Sequence, residues 1–268
     1  MSSSEKEIFL SRPELLYLLN AFGSRHVVGL KLDEFGWSQQ RLAQFLDEGK
    51  QILIARSLLT ETENFPADDI LADMIRVIAF RSIALLLVRG VKGRGQQLYI
   101  FNHYQNRIVE HTMPEDGMHR LMEIQNPEEL ILRLANLIPL QSVLLEHKIQ
   151  FEVSQQEFEE IVNNSKLDAK KARILSFLET QGLSIEHASM FIEALISPEL
   201  TISLACLAID NDEAYEAQSV AIFADQDSSW GVWPMDMPAD PPKLEVYPTG
   251  INHIVPFIEL WLSANKVN

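Results

Sequence analysis

The sequence predicts an α+β fold of two pseudo-symmetric halves, each of helices, a four-stranded antiparallel meander and a closing helix. Three observations carry this. Between Ser82 and Ile138, four short apolar or alternating runs separated by turn signals lead into one amphipathic helix. The same order of elements recurs about 120 residues later, from Thr201 to Ala264. Each of these stretches is preceded by helical segments.

Taken in order, Ser11-Arg-Pro-Glu14 is a capping box with proline just inside it. It opens a helix with Leu15, Leu16, Leu18 and Leu19 turned inward. Gly23–Gly36 reads as irregular, with a short strand at Val27–Leu32. Ser38 caps a long helix running to Arg56, with Leu42, Phe45, Leu46, Ile52 and Leu53 on one face. Pro66–Phe80 is a third helix. The first meander is Ser82–Val88, Gln96–Asn102, Arg107–Met113 and Met118–Ile124. Its turns are the glycine-rich Gly90–Gly95, the polar His103–Asn106, and Pro114–Gly117, where proline sets φ and glycine accepts a positive one. Asn126 caps the closing helix, Pro127 takes its first position, and Glu128 and Glu129 favour the positive helix end. Leu130, Ile131, Leu134 and Ile138 form its apolar stripe.

In the second half, Lys148–Val153 reads as a strand and Ser154-Gln-Gln-Glu157 as another capping box. A helix over Ala169–Gln181 stops at Gly182, and Ser184 caps Ile185–Ile196. The second meander is Thr201–Leu207, Gln218–Ala224, Ser229–Met235 and Leu244–Tyr247, closed by the helix Ile251–Ala264. The halves are residues 1–145 and 146–268. The boundary segment Gln141–His147 is not rich in Pro, Gly or Ser, so the halves are expected to pack as one globular unit.

A chain of 268 residues, 47% hydrophobic and 22% charged, has an ordinary globular composition and can bury a sizeable core. Its formal net charge of −16 argues against nucleic acid and anionic membrane as partners, since both need clustered Lys and Arg. The single Cys206 excludes an internal disulfide framework and fits a reducing compartment. The N-terminus MSSSEKE lacks the basic start and apolar core of a signal peptide, and no apolar run is long enough to span a membrane. The expected location is the cytoplasm.

No residue cluster announces a chemistry. His103, His111 and His119 fall within one meander, but pairing across the Pro114–Gly117 turn is expected to set His111 opposite Arg120 and His119 on the other face, which leaves no metal site. Gly90–Gly95 is followed by a strand rather than a helix, so it reads as a hairpin turn and not a phosphate cradle. Cys206 sits in the apolar run TISLACLAI, the setting of a core residue and not of a nucleophile. The carboxylate clusters lie at helix starts and turns, where they have structural reasons. No catalytic residue, metal or cofactor is therefore expected, and the chain reads as a non-enzyme.

Asp225–Pro242 stands apart. It carries Trp230, Trp233, Met235 and Met237 among four prolines and four aspartates. Such a segment is either a lid on the core or a contact surface. On the second reading these four residues are the candidate partner-binding set.

The layout resembles the EspG family, cytosolic chaperones of type VII (ESX) secretion systems. The resemblance rests on the Leu-rich opening helix RPELLYLLNAFG (Arg12–Gly23), the second helix ending in IARSLLT (Ile54–Thr60), and the LLLVRG…YIFN…RIVEHTMP meander. It implies two pseudo-symmetric halves and a non-enzymatic adaptor or chaperone that binds a protein partner such as a secretion substrate and keeps it soluble. It carries over no binding residue. An immunity-type or regulatory binding protein would suit the acidity as well; on either reading the chain is expected to be a monomer or homodimer. A winged-helix DNA-binding regulator fits poorly, because Gln39–Arg56 sets only Arg41, Lys50 and Arg56 against Asp47 and Glu48.

Overall fold

The structure, a computed structural model, describes residues 7–24, 26–27, 30–31, 38–62, 65–66, 68–113, 116–141, 149–210, 213–235 and 242–264. Local chemistry explains most helix starts. In α1 (Arg12–Ala21) the Glu14 carboxylate accepts from the Ser11 amide at 2.6 Å and also from Arg56 Nη1 at 2.6 Å. One buried acid thus caps α1 and ties it to the end of α2 (Gln39–Ala55). Ser38 Oγ accepts from the Arg41 amide at 3.3 Å. The third helix begins later than the sequence predicts: α3 spans Asp69–Phe80, because Asp68 Oδ1 accepts from the Ile70 and Leu71 amides. The short strand expected at Val27–Leu32 is a two-residue pairing of β2 (His26–Val27) with β3 (Leu30–Lys31).

Helices α1 and α2 approach so closely that Gly49 has no room for a side chain. A Cβ there would lie 2.1 Å from Pro13 O. Gly49→Ala is therefore expected to destabilise the fold by about 1–3 kcal/mol, the usual range for overpacking. Alanine's helix propensity, better than glycine's by about 1 kcal/mol, opposes this but does not offset it. Urea unfolding of the variant beside wild type tests it; equal or greater stability would show that the helices separate freely.

The strands form one ten-stranded antiparallel sheet, ordered β1-β7-β6-β5-β4-β9-β10-β11-β12-β8. These are β1 (Glu7–Leu10), β4 (Ile83–Val91), β5 (Gly95–Tyr104), β6 (Arg107–Thr112), β7 (His119–Ile124), β8 (Phe151–Ser154), β9 (Leu200–Asp210), β10 (Glu213–Ala224), β11 (Ser229–Pro234) and β12 (Lys243–Pro248). The expected four-stranded groups are thus parts of a larger sheet. The seam between β4 and β9 runs from Ile83↔Ala208 to Val91↔Leu200. β1, which the sequence reading did not contain, adds to β7, and β8 adds to β12. Gly90–Gly95 is a hairpin turn, with Gly93 at φ 77° and Gly95 at φ 74°.

Strand alternation divides the core between two faces. On one face, α4 (Pro127–Leu137) and α8 (Ile251–Ala264) lie over the middle of the sheet. Leu130, Leu134, Ile254 and Ile258 pack there on Leu85, Leu87, Phe101, Leu204 and Cys206. Burial pushes the Cys206 thiol up to about 12, so it is an inert core residue. Glu110, also buried on this face, accepts from Arg133 of α4 at 2.7 and 2.8 Å and from Arg120 of β7 at 3.3 Å. That clamp fixes α4 to the sheet. On the opposite face, α1–α3 cover the outer strands β6 and β7 through Leu15, Leu19, Met74, Ile78, Val109 and Leu121. In the second half, α5 (Gln155–Ser165), α6 (Asp168–Thr180) and α7 (Ile185–Ile196) cover β8, β11 and β12 through Ile161, Leu178, Phe191, Phe151, Val232 and Val246.

Candidate functional site

The candidate residues Trp230 and Trp233 lie three apart on β11, so strand alternation sends them to opposite faces. Trp230 is 1% exposed and meets Phe191 of α7 edge-on at 5.3 Å. It is a core residue with no surface to offer. Trp233 is half-buried on the α8 face. Its ring lies over Gly231, where a Cβ would come within 2.5 Å of Trp233 Nε1, and that nitrogen donates to Thr249 Oγ1 at 3.4 Å. Met235 is half-buried, and Met237 lies outside the described residues. The strand expected at Ser229–Met235 is β11, Ser229–Pro234, whose Trp230 and Val232 fill the core on alternate positions.

Trp233 heads a groove of about 660 Å³ between β11, β12 and α8. It stacks on Tyr247, with ring centroids 5.7 Å apart and planes 3° apart, and meets Phe257 edge-on at 5.9 Å. Tyr247 in turn meets His253 edge-on at 5.7 Å. Burial, reinforced by the Glu245 carboxylate, pushes the Tyr247 hydroxyl up to about 12. His253 Nδ1 accepts from the Gly250 amide at 3.0 Å, which places its proton on Nε2, and burial lowers its pKa. The groove is lined by these aromatic rings, Glu245 and the 54% exposed Leu260.

A second feature lies on the other face, between the helix layers α1–α3 and α5–α7. Leu86 and Val88 of β4, Leu98 of β5 and Leu207 of β9 are half-buried there, Ser203 is exposed, and all five lie outside the three core clusters. The pairs Val88↔Leu98, Val88↔Ser203 and Ala84↔Leu207 place them on one face. Sequence reasoning missed this strip, because it exists only where β4 and β9 meet.

The histidine expectation is corrected. His111 pairs with Leu121, and Arg120 with Thr112. The one-residue difference in register turns His119 onto the same face as His111. Their rings meet, Nε2 to Nδ1, at 2.9 Å and both are buried. His103 is on the α8 face, against Trp261 at 5.9 Å. Among the described residues, no three His, Cys, Asp or Glu side chains are grouped to hold a metal ion. Nor, among them, is any helix long and apolar enough to cross a membrane.

No family model matches the chain, and no curated protein matches it. Among solved structures, its architecture is similar to that of a type VII secretion system chaperone. That protein is EspG5 of Mycobacterium tuberculosis, solved in complex with a PE25–PPE41 dimer; the TM-score is 0.66 over 96% of each chain, at 9% sequence identity. The likeness establishes a shared fold.

Proposed function

We propose that this chain is a non-enzymatic protein-binding adaptor or chaperone of the EspG type, acting in the cytosol without metal or cofactor. The observation that carries this reading is the shared fold over nearly the whole chain, since the protein similar in fold is itself a secretion chaperone solved with a bound protein dimer. The half-buried apolar strip on β4 and β9 supports it, being a row of apolar side chains left outside the core clusters and flanked by two helix layers. In this reading the strip is one contact surface, and Trp233 and Met235, with Met237 beyond them, form another. Residues 1–145 and 146–268 are two pseudo-symmetric halves joined at the β4–β9 seam; the strand order, with β7-β6-β5-β4 on one side and β9-β10-β11-β12 on the other, supports this. The partner is a protein, a secretion substrate if the role follows the fold.

Ser203→Arg tests the strip. Ser203 is exposed, so the substitution should move stability by no more than about 0.5 kcal/mol. It places a bulky cation where a partner would lie flat. A pull-down from native cell extract should enrich a partner with wild type and lose most of it with the variant. The same partner at the same yield from both would remove the strip from the proposal.

A further inference from the structure

The groove beside Trp233 has a chemistry that the proposal of protein binding does not specify. It joins three aromatic rings, Trp233, Tyr247 and Phe257, to one carboxylate, Glu245, and among the described residues no Lys or Arg lines it. Among the described residues, Glu245 is hydrogen-bonded by the neutral Gln150 amide and forms no ion pair. The Glu245 charge reaches the aromatic wall, since it helps to raise the Tyr247 hydroxyl. His253, the groove's other titratable side chain, has its pKa lowered by burial, so it is neutral at pH 7 and adds no competing positive charge.

Planar aromatic faces and a carboxylate are complementary to one class of group. A cation is drawn to the negative face of Trp or Tyr. A guanidinium is flat, weakly hydrated and able to stack while its N–H fork engages a carboxylate. The volume, about 660 Å³, exceeds what one guanidinium needs and leaves room for the backbone that carries it. The chain's net charge of −16 favours approach of a basic segment.

We propose that this groove receives an arginine side chain of a bound polypeptide, its guanidinium against the Trp233–Tyr247 wall and paired with Glu245. This deepens the protein-binding reading and rests on it, but its test does not require the natural partner. The full chain is titrated by calorimetry with a blocked Gly-Arg-Gly peptide, the same peptide with citrulline in place of arginine, and free N-ethylguanidinium. Saturable binding of the arginine peptide is expected, weaker by about tenfold for citrulline, which keeps the shape and lacks the charge. Glu245→Gln should weaken the arginine peptide while leaving citrulline unchanged. Equal binding of the arginine and citrulline peptides, no saturable binding, or an unaltered Glu245→Gln overturns the site. N-ethylguanidinium binding as tightly as the peptide overturns the polypeptide assignment and leaves a small-cation pocket. If Glu245→Gln fails to fold, the citrulline comparison on the wild-type chain decides. Loss of the strip's partner with Ser203→Arg does not bear on this result, so the two proposals fail separately.

Discussion

Trp230→Ala is expected to lower folding stability by about 3–5 kcal/mol, the range for deleting a fully buried large aromatic side chain. The ring is 1% exposed and its edge contact with Phe191 at 5.3 Å ties β11 to α7. Truncation leaves a hole among Phe191, Val232 and Val246, which belong to the same cluster. A fall in melting temperature on the order of 10 °C should follow. Trp230→Phe should recover much of it, because a ring remains and the buried indole N–H has no hydrogen-bond partner to lose among the described residues. Differential scanning calorimetry decides: a shift under about 2 °C for the alanine variant would show that the residue carries no core packing.

The second large effect is acid sensitivity through the buried histidine pair. Burial lowers His111 to about 3 and His119 to about 4, and the charges of Arg81 on the former and Arg12 on the latter reinforce this. Both rings are neutral when folded and take up protons near pH 6.5 when unfolded. The unfolded chain therefore binds more protons between about pH 6.5 and 4, and stability falls as pH falls through that window. At pH 5 the loss is on the order of 2 kcal/mol for each ring. Urea midpoints at pH 7, 6 and 5 should trace it. In a His111→Leu, His119→Leu double variant the slope should shrink to the part left by His103 and His253, whose pKa values burial also lowers. An undiminished slope in that variant would place the acid sensitivity elsewhere.

The sequence was most legible where cause and effect lie within one turn of chain. Ser11, Ser38, Ser154 and Ser184 each bond within three residues of themselves or stand at a box that does, and all four helix starts were readable. The third helix was misplaced because Pro66 and Asp68 are both start signals, and only Asp68 reaches two backbone amides. Non-local pairing was illegible. Nothing in Glu7–Leu10 points to its partner β7 more than 100 residues on, a separation no local signal bridges. The histidine pair was lost to a register one residue away from the expected one. Trp230 and Trp233 were grouped because prolines and aspartates set their segment apart, although odd-even alternation along the strand expected at Ser229–Met235 already separates them. The strip on β4 and β9 arises from the seam and has no signature in either strand.

The sheet's outline also bears on how the molecule avoids its own kind. Its longest members, β9 and β10 with 11 and 12 residues, lie in the interior, while the rims are the four-residue β1 and β8. A further strand from a neighbouring molecule would find few open amides and carbonyls to template on. Glu7 and Glu152 add a charge to each rim and are engaged at home by Arg120 and Lys243, at 2.5 and 3.0 Å. A sheet that tapers to charged stubs can be broad enough to carry helices on both sides without inviting edge-to-edge polymerisation.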